Sequence, residues 1–207
     1  GAKHAVAVTN ATSALHLACR ALGVGPGDKV WVPAVTFPAS ANCALYCNAT
    51  VDFVDIDPAS ANLSVPALRA KLEGGGRPAV VVAVHMCGLP CDMAEIAELA
   101  REFDFRVIED ASHAPGSRYG DLRIGACEPS DIAVFSFHPV KIIIMATRAA
   151  QIDGSFNNLS NETLPAASAA PTVKVPIEVI VNTTRPWAKP SSPYAKRQTG
   201  RPMLPTK

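Results

Sequence analysis

Short β-branched runs alternate with helical patterns from residue 4 to 137. His4–Val8 reads as a strand and Thr12–Leu22 as a helix. Lys29–Val32 is again strand-like, and Pro38–Cys47 is helical with proline in its first turn, where a missing N–H costs nothing. Val51–Val54 predicts a strand and Val65–Glu73 a helix. Ala79–Val84 is a solid apolar run of the kind buried on both faces of a parallel sheet. Asp92–Phe103 is amphipathic with Asp92 as its N-cap, and Arg106–Ile108 and Ile132–Phe137 complete the strands. Such βα alternation predicts an α/β fold of three layers, a mostly parallel sheet with helices on both faces.

The texture changes after Lys141. Residues 142–207 carry eight of the chain's 18 prolines and sustain neither a helical nor a strand period. Arg185-Pro186-Trp187-Ala188-Lys189-Pro190-Ser191-Ser192-Pro193 fits neither a helix nor a central strand. The expected organisation is therefore a domain over 1–141 and an irregular, disordered tail over 142–207.

Charge sharpens that division. Residues 1–141 hold 11 Lys/Arg and 15 Asp/Glu, whereas 142–207 hold 8 and 3, so a net charge of +1 conceals an acidic domain and a basic tail. Nothing in that balance calls for nucleic acid or an anionic membrane as partner. No apolar stretch is long enough to span a bilayer and no signal peptide is visible, which points to the cytoplasm. All six cysteines precede residue 128. The C-x₃-C pairs Cys43/Cys47 and Cys87/Cys91 are compatible with zinc, but Cys43-Ala44-Leu45-Tyr46-Cys47 reads better as one apolar helix face, and no metal is expected.

Candidate chemistry gathers where strands end. Glu109-Asp110-Ala111-Ser112-His113 follows one strand, and Phe135-Ser136-Phe137-His138-Pro139-Val140-Lys141 places a lysine at the close of another. Open α/β folds bind ligands at the carboxyl edge of the sheet. A lysine and an aspartate presented there are the two groups a pyridoxal phosphate enzyme most needs, one to hold the cofactor covalently and one to pair with its ring nitrogen. Thr9-Asn10-Ala11-Thr12-Ser13 joins a strand to a helix, so its hydroxyls and free N–H groups suit a phosphate, with ordinary N-capping by Thr12 or Ser13 as a compatible role. Phe37 is placed to stack on a flat ring or to pack in the core. His85, after the most apolar strand, reads as a structural histidine. His113 shares a turn with Asp110. No G-x-G-x-x-G follows the first strand, which disfavours a dinucleotide-binding domain.

From Ala5 to Lys141 the chain resembles the large domain of DegT/StrS-type sugar aminotransferases, fold-type I pyridoxal phosphate enzymes. The resemblance rests on Thr9–Ala18, Pro33-Ala34-Val35-Thr36-Phe37, Phe53-Val54-Asp55-Ile56-Asp57, Glu109–Ala114 and Phe135–Lys141. It implies a catalytic Lys141 that holds pyridoxal 5'-phosphate, Asp110 on the ring nitrogen, Phe37 stacked on the ring, His113 near its phenolic oxygen, and Thr12, Ser13 and Ser136 on the phosphate. It also implies transamination of a nucleotide-linked keto-deoxy sugar from an amino-acid donor, commonly glutamate, in a homodimer. Segments 110–114 and 136–141 are similar to the enzyme type of pseudaminic acid biosynthesis, which acts on a UDP-linked 4-keto-6-deoxy amino sugar.

Two departures qualify this. The family's N-terminal arm and opening helix are missing before Gly1, and its glycine-rich Gly-Asp-Glu-Gly-Gly turn and small C-terminal domain are replaced after Lys141 by Ile142-Ile143-Ile144-Met145-Ala146-Thr147-Arg148-Ala149-Ala150. Read two bases later, codons for 145–150 can spell that turn, given guanine at the third positions, so a frameshift after Lys141 is one expectation and a linker unique to this protein the other. A non-catalytic remnant that at most binds pyridoxal phosphate is accordingly the alternative function, and a dimer is less secure than in the family.

Overall fold

The computed structural model describes residues 2, 4–138, 141 and 179–183. Its strands are β1 (His4–Val8), β2 (Lys29–Pro33), β3 (Thr50–Val54), β4 (Val80–Val84), β5 (Arg106–Asp110), β6 (Arg118–Tyr119), β7 (Leu122–Arg123), β8 (Ile132–Val134) and β9 (Val179–Thr183). The helices are α1 (Ala11–Ala21), α2 (Pro38–Leu45), α3 (Val65–Glu73) and α4 (Met93–Phe103). Seven strands form one sheet in the order β1-β9-β8-β5-β4-β2-β3, and β6 and β7 form a separate hairpin. Strands β8, β5, β4, β2 and β3 run parallel, while β9 is antiparallel to both its neighbours.

The period of two along each strand separates the cores. Val30 and Val32 of β2 and Val80, Val82 and Val84 of β4 pack against Leu15, Ala18 and Cys19 of α1 and Cys43 and Ala44 of α2. Trp31, Val81, Ala83 and Val107 face the other way, onto Leu68 and Leu72 of α3 and Met93, Ile96 and Leu99 of α4. At about 1.5–3 kcal/mol for each large apolar side chain buried, these two layers dominate the stability of the sheet. The result is the expected three-layer architecture.

Three local expectations need correction, and a fourth, Asp92 as the N-cap of α4, holds without a capping bond. Asn10, not Thr12 or Ser13, is the N-cap of α1, because its Oδ1 accepts from the Ser13 N–H at 2.8 Å. The strand before Lys141 stops at Val134 instead of running to Phe137, since β5, its partner, ends at Asp110 and the last ladder contact is the Ala111 N–H on the Val134 carbonyl. Lys141 therefore follows a loop, not a strand. Finally, Val179–Thr183, inside the stretch read as an irregular tail, is a strand: its β-branched Val-Ile-Val run pairs with His4–Val8 on one side and Ile132–Val134 on the other. The expected linker or frameshifted turn at 142–150 lies outside the described residues.

Candidate active site

Loops at the carboxyl ends of β4, β5 and β8 meet the β2–α2 turn and the start of α1 around a cavity of about 350 Å³. That volume suits a small organic ligand. Thr12, Phe37, Asp110, His113, Ser136 and Lys141 all line it. Of the expected residues only Ser13 is off the lining, its N–H committed to Asn10. The rest come from four separate segments, so their meeting is a product of the fold.

Asp110 closes β5 and is 5% exposed. Its Oδ1 accepts from the Ser112 N–H at 3.2 Å and its Oδ2 from the Ser40 hydroxyl at 2.7 Å. Thr36 Oγ1 in turn donates to Ser40 Oγ at 2.9 Å. Both carboxylate oxygens are thus held, and every hydroxyl proton of the relay can be directed toward the acid. Ser40 is fully buried in the first turn of α2, which Pro38 opens.

Phe37 is the N-cap residue of α2 and remains 60% exposed despite its size. Its ring is a face without a core to fill, and Lys141 Nζ stands 4.8 Å from the ring centroid. Lys141 Nζ also lies 3.0 Å from His113 Nε2. His113 Nδ1 accepts the Cys87 N–H at 3.3 Å, so the imidazole is fixed at both nitrogens. Burial, and next the positive charge of a protonated Lys141, hold His113 below the ordinary histidine range, against an opposing pull from Asp110. A mostly neutral imidazole beside the lysine follows.

The opposite wall is the N-terminus of α1, where Asn10, Ala11 and Thr12 line the cavity with no acidic side chain in the first turn. Unpaired first-turn N–H groups and the helix dipole favour an anion there. An apolar-faced ring slot, a buried carboxylate, an amine and an anion cradle are the set a phosphorylated pyridine aldehyde requires, and the residues present fit it.

Sequence reasoning missed Ser40, Ser112 and His138, the last two also lining the cavity. Ser40 was legible in principle, a hydroxyl in the first turn of the helix that Pro38 opens. Ser112 acts through its backbone, which leaves no side-chain signal. His85 is fully buried and bonded to Glu109 at 3.0 Å, away from the cavity, as a structural histidine would be. Cys43 and Cys47 are buried beside Cys19 in the core between sheet and helices, which pushes the Cys19 thiol strongly up, chiefly through its bond to Cys43 and its burial.

The model of the DegT/DnrJ/EryC1/StrS aminotransferase family matches residues 1–148. The chain is 46% identical over 143 residues to GDP-perosamine synthase of Caulobacter vibrioides, covering 69% of this chain and 38% of that protein. It is 42% identical over 143 residues to 3-amino-5-hydroxybenzoate synthase of Amycolatopsis mediterranei, covering 69% and 36%. Among solved structures, DesV of S. venezuelae superposes with a TM-score of 0.67 at 30% identity, over 90% of this chain and 41% of that one. Spr1654 of Streptococcus pneumoniae, solved in its PLP-form, gives 0.59 at 31% identity, over 66% and 38%. The chain thus spans less than two-fifths of the length of these curated relatives.

Proposed function

Because the chain belongs to the DegT/DnrJ/EryC1/StrS aminotransferase family, whose members depend on pyridoxal phosphate, we propose that its cavity holds this cofactor and serves transamination of a nucleotide-linked keto-deoxy sugar from an amino-acid donor such as glutamate. The convergence of Lys141, His113, Asp110 and Phe37 on one cavity carries the reading. When bound, the cofactor supplies an electron sink next to the reacting carbon. Asp110, held by Ser40 and Ser112, keeps a proton on the ring nitrogen. Phe37 packs on the ring face, and the α1 N-terminus with Thr12 and Ser136 takes the phosphate. Lys141 would hold the cofactor, and its amine would move a proton at the reacting carbon as general base and acid. His113 sits where it can orient the amine of Lys141.

The sugar reading is supported by the likeness to GDP-perosamine synthase, and the likeness to 3-amino-5-hydroxybenzoate synthase supports a cyclic non-sugar substrate as its rival. The UDP-linked 4-keto-6-deoxy amino sugar suggested by segments 110–114 and 136–141 belongs to the same substrate class. For the homodimer, the exposed Leu17, Leu45 and Tyr46 on α1 and α2 offer the apolar surface a second copy would cover.

The test is a pyridoxal phosphate titration of the 207-residue chain, with borohydride reduction and peptide mapping. The expected adduct sits on Lys141 and vanishes in Lys141→Ala. Adducts scattered over surface lysines, or none, would overturn the reading. Capture followed by amino transfer to GDP- or UDP-linked keto sugars supports the full proposal. Capture without transfer to any of them leaves the inactive remnant as the better description.

A further inference from the structure

The short connection from the end of β4 to α4, whose Met86 lines the cavity, is held by a dense set of side-chain hydrogen bonds. A 3-10 turn spans Met86–Gly88, with Cys87 in the left-handed region at φ 51° and ψ 28°, unusual for a residue bearing a Cβ. Such a conformation persists only where neighbouring bonds determine it. Here they do. Asn62, 4% exposed in the loop between β3 and α3, accepts the Met86 N–H on Oδ1 at 2.9 Å. Its Nδ2 donates to the carbonyls of Leu89 at 3.0 Å and Pro90 at 3.1 Å. Ser117 Oγ donates to the Gly88 carbonyl at 2.9 Å. His85 closes the loop from within, accepting the Cys91 N–H on Nδ1 at 3.1 Å while its Nε2 meets Glu109.

The turn has one outward product. It aims the Cys87 N–H at His113 Nδ1. A nitrogen that accepts an N–H carries no proton, so the neutral imidazole must bear its proton on Nε2, the nitrogen 3.0 Å from Lys141 Nζ. An Nε2–H facing the amine is a hydrogen bond only to a lysine nitrogen with a free lone pair, the form in which that nitrogen is a nucleophile. A rotated turn would release Nδ1, and His113 could then present a bare Nε2 as acceptor to a protonated lysine.

We propose that Asn62 is a positioning residue: by fixing the 86–90 turn it directs the Cys87 N–H onto His113 and so sets which imidazole nitrogen offers a proton to Lys141. Asn62 lies off the cavity lining and touches none of the groups assigned to the cofactor. The role deepens the proposed function, since Lys141 matters only if it is the reacting amine, yet the tautomer itself can be read without cofactor.

The experiment is long-range ¹H–¹⁵N spectroscopy of the full chain labelled on histidine nitrogen, without cofactor, at neutral pH. Loss of signals in His113→Gln assigns His113. The expected wild-type pattern has Nδ1 in the pyridine-type region and Nε2 in the pyrrole-type region. Asn62→Ala should draw both His113 nitrogens toward the averaged position of interchanging tautomers. Asn62→Asp keeps the acceptor for the Met86 N–H and should hold His113 closer to the wild-type pattern, which distinguishes turn control from general loosening and serves if the alanine variant does not fold. A wild-type His113 already averaged or protonated on Nδ1 overturns the proposal. So does an unchanged His113 in a folded Asn62→Ala protein, or, if that variant does not fold, an Asn62→Asp protein as averaged as a free imidazole. Failure of borohydride capture at Lys141 would defeat the cofactor reading and leave these spectra unaffected.

Discussion

Removing the Ser40 hydroxyl is the most direct probe of how the fold holds Asp110. In Ser40→Ala, the 2.7 Å bond to Oδ2 is lost at a fully buried position, and Asp110 keeps only the Ser112 N–H on Oδ1. A hydrogen bond to a charged group contributes about 1.5–3 kcal/mol, and leaving a buried acceptor unmade takes the cost to the upper part of that range. Thr36 loses its acceptor as well but is only half-buried and can turn to water, adding little. The expected cost is therefore roughly 2–3 kcal/mol, which with a urea slope of about 1–3 kcal/mol per molar lowers the unfolding midpoint by roughly 1 M or more. The same substitution in an Asp110→Asn background removes a bond between neutral groups and should cost only about 0.5–1.5 kcal/mol, giving a coupling on the order of 1 kcal/mol in a double-mutant cycle. Equal costs in the two backgrounds, or a wild-type cost below about 0.5 kcal/mol, would refute the reasoning that Ser40 holds a carboxylate.

Three further outcomes are expected. His85→Ala should cost about 3–5 kcal/mol in denaturant unfolding, because it leaves the buried Glu109 with Ser130 as its remaining side-chain partner; a change under about 1 kcal/mol would show the pair to be dispensable. Gly125→Ala places a Cβ 2.3 Å from the Phe135 ring at φ +83°, so it should lower stability by about 1–3 kcal/mol and disturb the Ser136 loop that follows, read as a shift in near-ultraviolet circular dichroism. The folded pKa of His113 lies below its unfolded value, so its contribution to stability is present above the ordinary histidine pKa near 6.5 and is lost as pH falls toward the folded value. His113→Gln should flatten that acid-side slope, and an unchanged slope between about pH 6.5 and pH 5 would count against it.

How much of this was written in the sequence depends on where the information resides. Ala79–Val84 and Asp92–Phe103 announce themselves because burial imposes its own period on each, and the solid valine run became β4 and the amphipathic stretch α4. Asp110 was legible as a carboxylate closing an apolar strand, and Phe37 and Lys141 as members of the short motifs that carry the family resemblance. The end of β8 was not, since Phe135 and Phe137 continue the apolar alternation past the point where β5 has no more backbone to offer. The hairpin β6–β7 turns on Gly120 at φ 56° followed by Asp121, a two-residue signal easily lost among short polar residues. β9 was obscured by the prolines around it, which set the composition of the segment but not of the five residues that pair. The Cys87 N–H on His113 left no trace at all, because a backbone donor is the same in every residue but proline.

The position of β9 also carries a temporal meaning. Among the described residues, β1 joins the rest of the sheet through β9, which leaves the ribosome some 170 residues later. The parallel strands β3, β2, β4, β5 and β8 can pack between α1 and α2 on one face and α3 and α4 on the other while later residues are still being made, at about 5–20 residues per second. During that interval of several seconds or more, β1 has no ladder to join and the open edge of β8 is unprotected. Strand β9 thus ties together segments far apart in the sequence, so a nascent chain halted before residue 179 should hold the loops around the cavity in place while β1 lacks its ladder partner.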